Sequence, residues 1–210
     1  MIDPSLYACA PHIAPHTLRE VIRVESSGNP IAVNVNVIRG RPRFRVPRIQ
    51  SAAHAAQIAN QAISQGYNVD LGLMQINSRN LPRLGYTVEQ MLSDQCLNIK
   101  AGARILSENY SRAAQTHGPG QQALLAALSA YNTGDFRRGF TNGYVSRYTS
   151  INYGIYTRTA EASSPPSVDG PPVIEVPNPF TAGSSVYSRE SSSNANSAAP
   201  SNIASPDPLN

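Results

Sequence analysis

The sequence predicts a mainly α domain with a small β hairpin, an α+β body over residues 1–160, followed by a Pro/Ser-rich tail over residues 161–210. Three observations predict it. Apolar residues recur at helical spacing through most of the first 150 residues, a single short stretch alternates apolar and polar residues, and the composition changes near residue 160. Beyond that point more than half of the chain's 17 prolines gather in runs such as "ASSPPSVDGPPVIEVPNPF", with few large apolar residues. Such a tail buries too little apolar surface to offset its ordering entropy and is expected to be disordered.

The first helix is expected from about Pro15 to Ser26, with proline favourable at its opening turn. Its stripe runs Leu18, Val21, Ile22 and then Glu25, because residues seven apart on a helix share a face. Ser26, Ser27, Gly28, Asn29 and Pro30 stop it immediately afterwards. Next, "AVNVNVIRGRPRFRV" alternates Val33, Val35 and Val37 with Asn34 and Asn36, turns around Arg39 and Gly40, and resumes with Phe44 and Val46, which reads as the small hairpin. Residues 50–65 form an alanine-rich helix closed by Gly66. "GYNVDLGLMQINSRNLPRLG" has no long period and reads as a compact loop with one buried turn. "TVEQML" opens a short helix on a Thr87/Gln90 capping box. Longer helices follow over about Asp94–Gln115, with Cys96, Ile99, Ala103, Leu106 and Tyr110 on one stripe, and Gln121–Asn132, ended by Gly134. A last helix near Tyr144–Ile151 completes the body.

Charge is uneven along the chain. Sixteen of the 17 Lys and Arg and 8 of the 13 Asp and Glu precede residue 161, leaving a net +8 there and −4 in the tail. A body so rich in arginine is attracted to polyanions, among them nucleic acid, anionic lipid and an acidic wall glycan. No window of 18 apolar residues exists, so no membrane span is expected. The opening "MIDPSLYACAP" has neither the basic nor the apolar stretch of a signal peptide, which leaves a removed leader, another export route or no export. Cys9 and Cys96 lie far apart with no histidine spaced as a metal partner, so neither metal nor cofactor is expected. Either they join in a disulfide, with a loop-entropy benefit on the order of 4 kcal/mol in an oxidising compartment, or both are unpaired buried thiols.

An ionised carboxylate on a buried stripe costs several kcal/mol unless it is paired or protonated. Glu25 also stands at the negative end of the helix dipole, a second push toward the protonated form. The alternative is a slightly rotated helix that leaves Glu25 at a boundary, bonded to an arginine. Three further places share Glu25's character, with polar or aromatic groups at a helix end or in a glycine-containing loop: Gly72, Leu73, Met74 and Gln75; Tyr131 and Asn132; and Tyr144. Taken singly, each fits an ordinary structural role better than a functional one.

Together and in this order, "VESSGNP", "DLGLMQINSRNL", "AGARIL..NY" and "LSAYNTGDFRRGFTNGYV" resemble the lysozyme-like domain of soluble lytic transglycosylases, most closely the VirB1 group that accompanies type IV secretion systems. The resemblance spans roughly Cys9–Ile151. It implies a lysozyme-like fold and an enzyme that cuts the β1,4 link between N-acetylmuramic acid and N-acetylglucosamine in peptidoglycan, closing the muramyl 6-hydroxyl onto its own anomeric carbon. It implies Glu25 as catalytic acid with Ser26 beside it, Gly72–Gln75 lining the glycan cleft, Tyr131 and Asn132 holding substrate, and Tyr144 approaching the acid. It further implies peptidoglycan strands and secretion-system components as partners, and a periplasmic location. Ser27 departs from the pattern, standing where many members carry glycine or a bulkier residue.

The same conclusion about Glu25 follows from chemistry, since glycosidic cleavage needs a carboxylic acid still protonated near neutral pH. One acid suits the anhydro route, whereas a second facing it would favour hydrolysis by a muramidase. Asp70 and Asp135 are the candidates for that second acid, though aspartate is also at home in turns and caps. A non-catalytic wall-binding scaffold is the remaining rival. The basic segment "RGRPRFRVPR" reads as a solvated face, and no nucleic-acid partner is expected.

Overall fold

The computed structural model describes residues 3–148. Seven α-helices and a three-stranded sheet are formed in that span: α1 (Pro15–Ser26), β1 (Val33–Val35), α2 (Ala52–Ser64), β2 (Val69–Leu71), β3 (Ile76–Asn77), α3 (Leu81–Leu84), α4 (Val88–Ser93), α5 (Gln95–His117), α6 (Gln121–Thr133) and α7 (Arg138–Thr141). Short 3-10 turns precede α1 and α3. The mainly α class with a small β component therefore holds.

Local signals account for most helix ends. Pro15 opens α1, and Ser27, with φ of 54°, closes it by donating its N–H to the Arg23 carbonyl. The Ser51 hydroxyl caps α2, Asp94 caps α5, and Thr87 and Gln90 form the reciprocal box at α4. α6 packs along α5, and α2 packs on α4. Leu18, Val21 and Ile22 from α1, Ile99 and Leu106 from α5, and Leu71 and Ile76 from the sheet are buried in one continuous core.

The β structure departs from expectation. The turn at Ile38–Arg41 does form, but its two arms do not pair. β1 instead pairs antiparallel with β2, which pairs with β3, and Asn34, Asp70 and Asn77 come into register across the three strands. Pro42 and Pro47 carry no N–H for a ladder, so the second arm cannot extend β1. It is held elsewhere. The Arg41 guanidinium stacks 4.7 Å over the Tyr67 ring and donates to the Gln65 carbonyl, the Tyr67 hydroxyl donates to the Pro42 carbonyl, and Phe44 meets Tyr67 edge-on.

The stretch expected to be a compact loop supplies β2 and β3, with Gly72–Gln75 as the tip of their hairpin. A short helix, α7, was not expected. The last expected helix begins later than Tyr144: residues 146–148 are helical, and the remainder lies outside the described residues, as does the Pro/Ser-rich segment from 161.

Cys9 and Cys96 form a disulfide that ties the 3-10 turn Pro4–Cys9 to the first turn of α5 across a sequence separation of 87. No described helix is long and apolar enough to cross a membrane.

Candidate active site

A cleft of about 1640 Å3 runs between the polar face of the sheet and the helices, with Glu25, Asp70, Gln75, Tyr131, Asn132 and Tyr144 among its walls. Glu25 reaches it from the last turn of α1, following the buried Leu18 and Ile22. Neither flanking arginine takes its carboxylate as a partner: Arg23 pairs with Glu20 at 2.8 Å, and Arg147 acts on Glu25 only through its charge. The Tyr144 hydroxyl donates to Glu25 Oε1 and lies 2.7 Å from the Tyr148 hydroxyl.

Burial pushes the Glu25 carboxyl up to about 7, and the charge of Asp70 adds to the push. The Tyr144 hydrogen bond and the Arg147 charge oppose it. Burial and the nearby Glu25 charge in turn drive the hydroxyls of Tyr131, Tyr144 and Tyr148 far above the usual phenol range, so all three remain protonated donors.

Across the cleft, β2 presents Asp70 to a ring of carboxamides. Asn77 donates to Oδ1 at 2.7 Å, and Asn36 and Asn34 donate to Oδ2 at 2.9 and 3.4 Å. Burial raises the Asp70 carboxyl while these bonds favour its charged form. The alternation Asn34, Asn36 against Val33, Val35 that marks the strand thus sorts amides to the cleft and valines to the protein side. Asp135 is not part of the site. It is exposed and accepts from the backbone N–H groups of Arg137 and Arg138 at 2.8 and 2.9 Å, a turn-capping role.

The Gly-Leu-Met-Gln stretch is shaped by both neighbours. Gly72 has φ of 73°, and a Cβ there would come within 2.8 Å of the Met91 carbonyl, so only glycine fits. Gln75 adopts φ of 46°, and its side-chain amide donates back to the Gly72 carbonyl at 2.9 Å. Leu73 and Met74 are buried, so of these four residues Gln75 brings its side chain to the cleft wall. The Tyr131 hydroxyl donates to the Met74 carbonyl at 2.7 Å, joining α6 to the hairpin tip. Asn132 is exposed at the rim and accepts from the Asn142 amide. Ser26 turns away, its hydroxyl donating to the Ile22 carbonyl and accepting from the Gly28 N–H.

Sequence reasoning missed Asn98, which is 1% exposed. Its amide donates to the carbonyls of Leu71 and Met91 at 2.9 and 3.0 Å, and its oxygen accepts the Met74 N–H at 2.8 Å. The available signal was a polar residue at helical spacing from Gly102, itself pressed against Met74. Tyr148 and the amide ring around Asp70 were missed as well; the former follows Tyr144 by one helical turn, while the ring depends on strand pairing.

A largely helical body, a three-stranded sheet and a long cleft holding two carboxyls raised by burial, Glu25 and Asp70, place the molecule in the lysozyme-like class. The chain belongs to the transglycosylase SLT domain family, whose model matches residues 5–153. It is similar to the protein virB1 of Agrobacterium fabrum (strain C58), 39% identical over 139 residues that make up 66% of this chain and 54% of the relative. Rhizobium radiobacter virB1 is 36% identical over 78% of this chain and 62% of the relative. The type IV secretion system protein virB1 of Brucella suis biovar 1 (strain 1330) is 40% identical over 63% of this chain and 53% of the relative. The matches thus span about half to three fifths of these relatives' lengths. No solved structure gives a significant match.

Proposed function

We propose that the chain is a peptidoglycan lytic transglycosylase. Glu25 gives its proton to the oxygen bridging N-acetylmuramic acid and N-acetylglucosamine as the bond from that oxygen to the muramyl anomeric carbon breaks. The resulting carboxylate accepts the proton of the muramyl 6-hydroxyl as that oxygen bonds to the same carbon, leaving a 1,6-anhydro end and restoring the acid. Proton and bonds balance without added water. The observation that carries the reading is Glu25 itself, a cleft carboxyl pushed up to about 7 and held by Tyr144. Gln75, Tyr131 and Asn132 are the proposed glycan contacts, with Gly72, Leu73 and Met74 shaping the wall behind them and Ser26 setting the end of α1. Residues 161–210 are a proposed disordered spacer. The proposed place of action is the periplasmic wall, for type IV secretion assembly; the transglycosylase family and relatives named as type IV secretion system proteins support the reading.

One observation favours a second reading. Asp70 lies in the same cleft and its charge reaches Glu25. A carboxylate so placed serves a hydrolytic muramidase as nucleophile or as base for water.

Mass spectrometry of products from purified peptidoglycan separates the two. Anhydro ends support the transglycosylase, whereas reducing ends establish the muramidase and overturn the first reading. Glu25→Gln should lower turnover by at least 10³-fold, a loss at the upper part of the range for general-acid contributions. Continued release of muropeptides by this variant would refute Glu25 as the acid. Wall binding without release by either form identifies a scaffold.

A further inference from the structure

Beyond Glu25 the lining of the cleft changes character. Around Glu25 and Asp70 its polar groups are mostly neutral amides, from Asn34, Asn36, Gln75 and Asn77. Past Asn77 the wall turns cationic. Arg79 and Arg83 follow along the 3-10 turn and α3, and facing them on α5 stand Arg104 and Arg112, four residues to either side of Glu108 and so on one helical face. Glu108 is the single acid among them, and its two oxygens are shared: Arg83 Nη1 lies at 2.8 Å and Arg104 Nε at 3.0 Å. Four guanidinium groups against one carboxylate leave a local surplus of three positive charges.

A neutral sugar is recognised by amides and hydroxyls and has no use for that surplus. Guanidinium groups are matched to carboxylates, to which they present paired N–H donors in a fixed fork. Each guanidinium carries five donors, and Glu108 occupies only a fraction of those on Arg83 and Arg104. The row is continuous with the sugar-sized part of the cleft, so a polymer seated over Glu25 runs onto it.

We propose that Arg79, Arg83, Arg104 and Arg112 form a carboxylate-binding subsite for the acidic stem peptides of peptidoglycan, which makes the enzyme selective for peptide-substituted over bare glycan. This rests on the glycan-cleaving reading above and adds a substrate preference to it. The stems hang from the muramyl lactyl group and carry free carboxylates, so an occupied cleft brings an acid to this wall along with each muramyl unit.

The test compares kcat/KM on glycan strands with intact stems and on strands stripped of them by an amidase, for the wild-type chain and for Arg79→Gln/Arg83→Gln. The wild type should prefer stem-bearing strands by about tenfold at low salt, roughly what two or three exposed ion pairs supply together, and less at high salt. The double variant should reduce the preference to about twofold or less. A second measurement needs neither turnover nor these variants: Glu25→Gln should bind a disaccharide-peptide more tightly than the same molecule with its stem carboxylates amidated. Equal use of both strand types by the wild type, an unchanged preference in the double variant, or equal binding of the acid and amide forms would overturn the subsite. Failure of the wild type to cleave either strand would count against the enzymatic reading, while the binding comparison would still decide the subsite.

Discussion

Glu25 titrates where it does because folding encloses it, and that has a consequence for stability. A carboxyl raised from 4.5 to about 7 binds more protons folded than unfolded between those values, so its contribution to stability falls as pH rises through that window. Above pH 7 the native state bears a penalty on the order of 3 kcal/mol from this group. Glu25→Gln removes the penalty and should melt higher than the wild type at pH 8, with the difference vanishing at pH 4; thermal scans at the two pH values check this. Tyr144→Phe acts in the opposite sense to the Tyr144 hydrogen bond, which favours the carboxylate. The variant should show an alkaline limb of kcat/KM moved above the wild-type value near 7, together with a lower kcat, and an unmoved limb would show that the contact does not tune the acid.

At the scale of elements, the hairpin tip Gly72–Gln75 is a tight loop whose backbone depends on a helix distant in sequence. Asn98 on α5 satisfies two carbonyls and one N–H of this region with a single side chain, so its loss strands three buried backbone groups. Asn98→Ala should destabilise the protein by about 3 kcal/mol in urea unfolding, and it should lower activity more than the stability loss explains, because Gln75 and the Met74 carbonyl that receives Tyr131 shift with the tip. A change under about 1 kcal/mol would show that water replaces the amide at little cost. The strands themselves illustrate what short-range pattern can tell. Alternation in residues 33–37 marked a strand and set Asn34 and Asn36 opposite Val33 and Val35, although Val37 is exposed and the strand ends at Val35. Its partner was not legible, because two prolines in the apparent second arm remove the donors a hairpin needs while Val69–Leu71, far along the chain, offers a matching edge.

On the scale of the whole molecule, one covalent link joins the start of the described chain to α5. Cutting the Cys9–Cys96 bond releases a loop of nearly ninety residues in the unfolded chain, and the double Cys→Ser variant should be less stable by about 4 kcal/mol. Equilibrium unfolding of the oxidised wild type against that variant measures it. A difference under about 1 kcal/mol would show the bond to be structurally redundant.

The sequence alone determined the longer helices and most of their ends, since proline, glycine and capping side chains act within a turn of the residues they affect, but it left the short α7 unread. It also placed an acid on the buried stripe of α1, since helical periodicity is a local property of the chain. Tertiary structure alone decided what that acid meets. The Tyr144 hydroxyl, 119 residues away, the three asparagines gathered on Asp70 and the arginine row beyond them come together only when the sheet pairs and α5 crosses beneath its hairpin. Burial and electrostatic coupling depend on distance in space, and the order of residues along the chain does not supply it.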